Sequence, residues 1–176
     1  MIHQLSGSVL VLVDLQERLM PMIDQREAVV DNAGKLARIA QILEIPVIGT
    51  EQNPTGLGNN VAEIRSLCSN TLSKQHFDAC ADGLIDALPV DRKRVIVAGC
   101  EAHVCVLQTV CGLLERGLDV TVVRDAVGSR TAANRDAAID RMIRRGAESA
   151  SVEMLAFEWL RSSDHPKFRS VLKLVK

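Results

Sequence analysis

Five consecutive apolar residues, Val9-Leu10-Val11-Leu12-Val13, run without a polar interruption and end on Asp14. A strand with one wet face alternates apolar and polar residues. An unbroken apolar run fits a strand covered on both faces. Shorter apolar segments recur at 45–50, 70–73, 94–98, 119–123 and 147–152. Between them the spacing changes. Val30, Ala33, Leu36, Ala37, Ala40 and Leu43 recur every three or four residues, which predicts an amphipathic helix over 27–43. Helical patterns follow at 78–88, 104–116, 131–145 and 154–160, with a short turn at 61–67 and a tail at 166–175. Pro89 stops one of these helices, and Gly117 and Gly146 close two others. The stretch 51–60, rich in Gly, Asn and Pro, reads as a loop. Strand and helix alternate throughout, and no composition break divides residues 1–176. That order predicts a single-domain, three-layer α/β/α Rossmann-like fold with a mainly parallel sheet of about six strands.

Composition excludes several partners. Aromatic residues make up only 2% of the chain, so the core is aliphatic and stacking platforms for bases are few. Lys and Arg number 21 against 22 Asp and Glu, a balance that offers no basic face to a phosphate backbone. No apolar stretch is long enough to span a bilayer, and residues 1–8 lack the pattern of a signal peptide. The five cysteines are odd in number and show no Cys-x-x-Cys spacing. They read as reduced thiols of a cytoplasmic protein rather than as disulfide partners or zinc ligands.

Chemistry concentrates at the carboxyl edge of the expected sheet, where α/β proteins build sites. Asp14 ends the first strand, Lys74 follows the third, and Cys105 lies past the fourth in Val95-Ile96-Val97-Ala98-Gly99-Cys100-Glu101-Ala102-His103-Val104-Cys105-Val106. Taken singly, each has an ordinary reading: a buried cysteine packs, an aspartate after a strand caps the next segment, and a loop lysine is solvated. Cys100 and Cys111 read as packing residues. Taken together, the three residues suit nucleophilic catalysis. The carboxylate can take the thiol proton, while the ammonium and the nearby helix start favour thiolate. Gly56-Leu57-Gly58-Asn59-Asn60-Val61 lacks the third glycine of a dinucleotide fingerprint, and no Gly-x-Ser-x-Gly is present. His103, two residues from Cys105, reads as lining rather than as its base.

Three blocks resemble the isochorismatase-like cysteine hydrolases: Val11-Leu12-Val13-Asp14-Leu15-Gln16, Ser73-Lys74-Gln75-His76-Phe77, and 98–106 around Cys105. The segments 50–58 and 125–130 and the tail 165–168 resemble the branch of isochorismatase domain-containing proteins. The resemblance implies that Asp14, Lys74 and Cys105 cleave a small amide or related C–N bond through a thioester. It implies an oxyanion hole from the backbone N–H groups of Glu101 and Cys105, a cis peptide between Cys100 and Glu101, and a homo-oligomer. Related nicotinamidases bind a metal through an Asp-x-His pair and a further His. Here the region reads Thr50-Glu51-Gln52-Asn53-Pro54, and no histidine lies between His3 and His76. No metal or other cofactor is therefore expected. Glu51, Gln52, Phe77 and His103 are candidate pocket residues for a small-molecule substrate. A catalytically idle scaffold and a thiol redox sensor are the alternative functions.

Overall fold

The computed structural model describes residues 4–176. Six strands form one parallel sheet: β1 (Ser8–Val13), β2 (Val47–Gln52), β3 (Asn70–Lys74), β4 (Arg94–Cys100), β5 (Asp119–Gly128) and β6 (Glu148–Ala150). Their spatial order is β3-β2-β1-β4-β5-β6. The chain builds outward from β1 to β3, returns to the centre at β4, and builds outward the other way. The strand order therefore reverses between β1 and β4, and their carboxyl ends flank the crevice where such sheets bind ligands.

Side-chain alternation explains why β1 has no polar residue. Leu10 and Leu12 pack into one core with α1 (Arg26–Ile42), α7 (Val152–Leu160) and α8 (Phe168–Val175). Val9, Val11 and Val13 pack into the opposite core with α4 (Leu84–Ala87), α5 (Leu107–Glu115) and α6 (Ala132–Arg144). In β4, Ile96 and Ala98 face the first core, and Val95 and Val97 face the second. Both faces of the central strands are thus dry, and the period of two assigns each residue to a layer.

Several boundaries differ from the sequence expectation. β2 starts two residues late and runs on to Gln52, where Glu51 and Gln52 pair with Ser73 and Lys74. The expected loop therefore shrinks, and it contains the short α2 (Pro54–Leu57) before α3 (Ala62–Arg65). Lys74 closes β3 instead of following it. The helix expected over 78–88 breaks at Gly83, whose φ of +95° separates a 3-10 turn, Ala79–Asp82, from α4. β5 continues past Val123 through an irregularity, because Val127 and Gly128 pair again with Gly99 and Cys100. β6 ends early: the Ser151 hydroxyl accepts from the Met154 N–H at 3.2 Å and caps α7.

Gly99 is fixed by its neighbour. Its φ is +120°, and a Cβ there would fall on the carbonyl oxygen of Val13 and 2.6 Å from the Val13 nitrogen. β1 and β4 can approach this closely only with no side chain between them. Gly99→Ala is expected to cost about 3 kcal/mol or more of stability, because neither backbone can give way. Urea unfolding measures it, and an unchanged midpoint would refute the close-approach account.

Candidate active site

Parallel register brings the strand ends together. Val13 pairs with Thr50 and Gln52 with Lys74, so the residues at and just past these positions share one edge. Asp14, the first residue after β1, has a φ of +49°, a left-handed conformation that ends the strand's alternation. Its Oδ1 accepts a 2.6 Å hydrogen bond from the Thr50 hydroxyl. Its Oδ2 lies 2.8 Å from Lys74 Nζ, and both side chains are fully buried.

The ammonium has more acceptors than protons. Besides Asp14, it donates to Gln52 Oε1 at 2.6 Å and to the carbonyls of His76 and Phe77 at 3.3 and 3.4 Å. An ammonium carries three protons. Lys74 is therefore saturated by the protein and has none spare for a substrate oxygen.

Cys105 sits in a π-helical turn, Ala102–Val106, that leads into α5. Its side chain is buried in the second core, with Sγ 3.8 Å from Gln52 Oε1. Burial pushes the thiol up to about 12, the Asp14 carboxylate adds to the rise, and Lys74 opposes it. This reverses the expectation that the helix start favours thiolate: desolvation wins.

Residues 8–154 match the family model of the isochorismatase domain. The chain belongs to the isochorismatase family. Isochorismatase domain-containing protein 2 of Danio rerio is 37% identical over 171 residues, which is 96% of this chain and 87% of that protein. A solved structure described as the MAR1 ribonuclease from Caenorhabditis elegans superposes with a TM-score of 0.94 at 38% identity, covering 99% of this chain and 92% of that one. YcaC has been solved from two bacteria. The Pseudomonas aeruginosa protein, with hexane-2,5-diol and covalent acrylamide, gives a TM-score of 0.90 at 26% identity, covering 98% of this chain and 90% of that one. The Escherichia coli protein, described as an octameric hydrolase of unknown specificity, gives 0.86 at 25%, covering 97% and 94%.

This isochorismatase-family chain has a cis peptide between Cys100 and Glu101, as the resemblance implied. The Glu101 side chain pairs with Arg130, which lies just past β5, at 2.7 and 3.3 Å. The other candidate lining residues separate. Gln52 joins the cluster directly. Glu51, its strand neighbour, accepts from the Asn60 backbone N–H at 2.8 Å and so anchors the loop after α2. Phe77 contributes its carbonyl, while its ring is about half exposed. His103 Nδ1 lies 3.0 Å from Ser129 Oγ, and the ring lines a cavity with Leu107, Cys111 and Arg141 between α5 and α6. Cys111 is accordingly half-buried rather than packed away, whereas Cys100 is fully buried.

Two supporting residues had no role in the sequence reading. Thr50 holds Asp14. Gln16 brackets the Gln52 backbone: its Oε1 accepts from the Gln52 N–H at 2.8 Å, and its Nε2 donates to the Gln52 carbonyl at 3.0 Å. Register would have found Thr50, since it pairs with the residue before Asp14. Gln16 left no comparable signal, because its partners are backbone groups. Asp14, with one oxygen given to Thr50 and the other to Lys74, is a poor metal ligand. Among the described residues no three His, Cys, Asp or Glu side chains are grouped to hold a metal ion.

Proposed function

We propose that this isochorismatase-family protein is a metal-independent cysteine hydrolase that cleaves a small amide or related non-peptide C–N bond. The observation that carries the reading is the fully buried Asp14–Lys74 ion pair beside the buried Cys105 thiol. Both charges act on the sulfur, and a coupled acid, base and nucleophile is the arrangement nucleophilic catalysis needs. The covalent acrylamide of the P. aeruginosa relative adds support for a reactive group in this fold.

In the proposed cycle the Cys105 proton passes to Asp14 as sulfur attacks the acyl carbon. The backbone N–H groups of Glu101 and Cys105 hold the oxyanion. The C–N bond breaks, the amine leaves with the proton from Asp14, and a thioester remains. Asp14 then takes a proton from water, hydroxide adds to the thioester, and the acid departs as the proton returns to sulfur. Lys74, saturated by its acceptors, holds the Asp14 carboxyl in place throughout.

A small molecule suits this site better than RNA, the substrate that the C. elegans relative's description suggests. The formal net charge is -1, and with aromatic residues at 2% of the chain few rings are available for stacking bases. We place the protein in a reducing compartment such as the cytoplasm, a reading supported by its five free cysteines. Homo-oligomerisation is proposed from the octameric E. coli relative, with light scattering as the check. The deciding experiment is a panel of small amides, with single-stranded RNA assayed in parallel. Release of amine and acid from at least one amide, with RNA intact, is the expected result. RNA cleavage with no amide turnover would overturn the reading.

A further inference from the structure

The turn that follows Lys74 is tied down from outside the site. Gln75, His76 and Phe77 are exposed, yet each gives a carbonyl to the interior. Gln75 O accepts the Gln52 side-chain amide at 2.7 Å, and this aims Gln52 Oε1 at the ammonium and the thiol. His76 O and Phe77 O accept from Lys74 Nζ. The placement of both Gln52 and Lys74 thus depends on a three-residue segment that buries no side chain of its own.

One carboxylate holds that segment. Asp82, on the 3-10 turn after it, accepts the backbone N–H groups of Gln75 and His76 on Oδ2, each at 2.8 Å. Its Oδ1 meets His76 Nδ1 at 2.9 Å. Peptide planes couple an amide to the carbonyl that precedes it, so fixing these N–H groups restricts the carbonyls of Lys74 and Gln75. The Lys74 carbonyl in turn accepts the Asn53 N–H at 2.8 Å, and this closes the clasp on the end of β2. The same contacts, His76 first, hold the Asp82 carboxyl below the usual carboxylate range, so it stays ionised at neutral pH.

We propose that Asp82 is a positioning residue of the active site, acting through the Gln75–Phe77 backbone to fix the Lys74 ammonium and the Gln52 amide against Asp14 and Cys105. The inference rests on the proposed roles of Lys74 and Cys105. It adds a residue that touches neither substrate nor thiol. Its claim is geometric: two N–H groups must be accepted at one point, and a neutral acceptor of the same shape can do this.

The test is the alkylation rate of Cys105 by iodoacetamide at pH 8, mapped by mass spectrometry, with Cys68 as the internal reference. Cys68 precedes β3, bonded to Thr71 rather than to the Asp14–Lys74 pair, and its thiol is likewise pushed up, to about 11. In Asp82→Ala the ammonium loses its fixed place beside the thiol, whose proton affinity rises. Each unit of such a rise slows the reaction about tenfold, so a fall of about fivefold or more is expected at Cys105, with Cys68 unchanged. Asp82→Asn keeps an acceptor oxygen for the two N–H groups and is expected within about twofold of wild type. Asp82→Ser replaces the alanine protein in the comparison if that protein is not recovered folded. A wild-type rate in the alanine protein, an asparagine protein as slow as it, or a parallel fall at Cys68 would each overturn the proposal. The readout needs no substrate. A failed amide panel would therefore count against the hydrolase reading and leave this comparison standing.

Discussion

Cys105→Ala is expected to lower turnover of every amide that the wild-type protein hydrolyses by a factor of about a thousand or more. Neither of the nearest candidates can take its place. Cys100 is fully buried in the opposite core, and Lys74 has given all its protons to protein acceptors. The alanine protein is expected to fold, since it removes one atom from a site that already packs against apolar neighbours. It should also lose the covalent acyl adduct that the wild type accumulates when deacylation is slow, an outcome mass spectrometry reads directly. The pH dependence follows from the thiol being pushed up to about 12. The ordinary thiol value is 9.0, so between that pH and about 12 the folded protein keeps its proton while an exposed cysteine has lost it. Alkylation of Cys105 by iodoacetamide should therefore still be climbing at pH 10, where a free thiol has levelled off. Retained turnover in Cys105→Ala would sink the nucleophile assignment and favour an idle scaffold. Reversible peroxide oxidation confined to Cys105, without amide turnover, would favour a redox sensor.

The sheet was legible because burial on both faces leaves a strong mark: Val9–Val13 is apolar throughout, and nothing else satisfies that run. Helix positions were legible because one buried face repeats every three or four residues. Boundaries were not, where backbone geometry rather than side-chain pattern decides them. Glu51 and Gln52 look like loop residues, yet they pair with β3; the polar side chains at a strand end report the site, not the ladder. The break at Gly83 and the resumption of β5 at Val127 depend on a glycine in a positive-φ turn and on pairing with β4. Within the site, Asp14, Lys74 and Cys105 stood out as polar residues at strand ends. Thr50, Gln16 and Asp82 did not, because their roles rest on particular hydrogen bonds that leave no pattern in the sequence: Thr50 to Asp14, Gln16 and Asp82 to backbone groups. Position at a helix start argues for thiolate, and only the depth of burial shows that desolvation is the larger effect.

Lys74→Met separates the two duties of the ion pair. The methionine fills nearly the same volume, but it leaves the fully buried Asp14 carboxylate without a counter-charge, held by the Thr50 hydroxyl and the neutral Cys105 thiol. Breaking one side of a buried pair costs about 3–5 kcal/mol, most of it from the stranded charge. A lone buried carboxylate relieves that cost by binding a proton. The sign follows: the variant's deficit should be full at neutral pH and shrink as the medium is acidified, which unfolding curves across pH 4 to 8 would show. Turnover should fall about a hundredfold or more, because the ammonium no longer holds the Asp14 carboxylate in place to accept the thiol proton. Asp14→Asn combined with Lys74→Met removes both charges, and should recover much of the stability with none of the activity. If Lys74→Met were as stable as wild type at pH 7, the carboxylate would not be stranded. If the double variant were as unstable as the single one, the loss would lie in packing around the lysine stem rather than in charge.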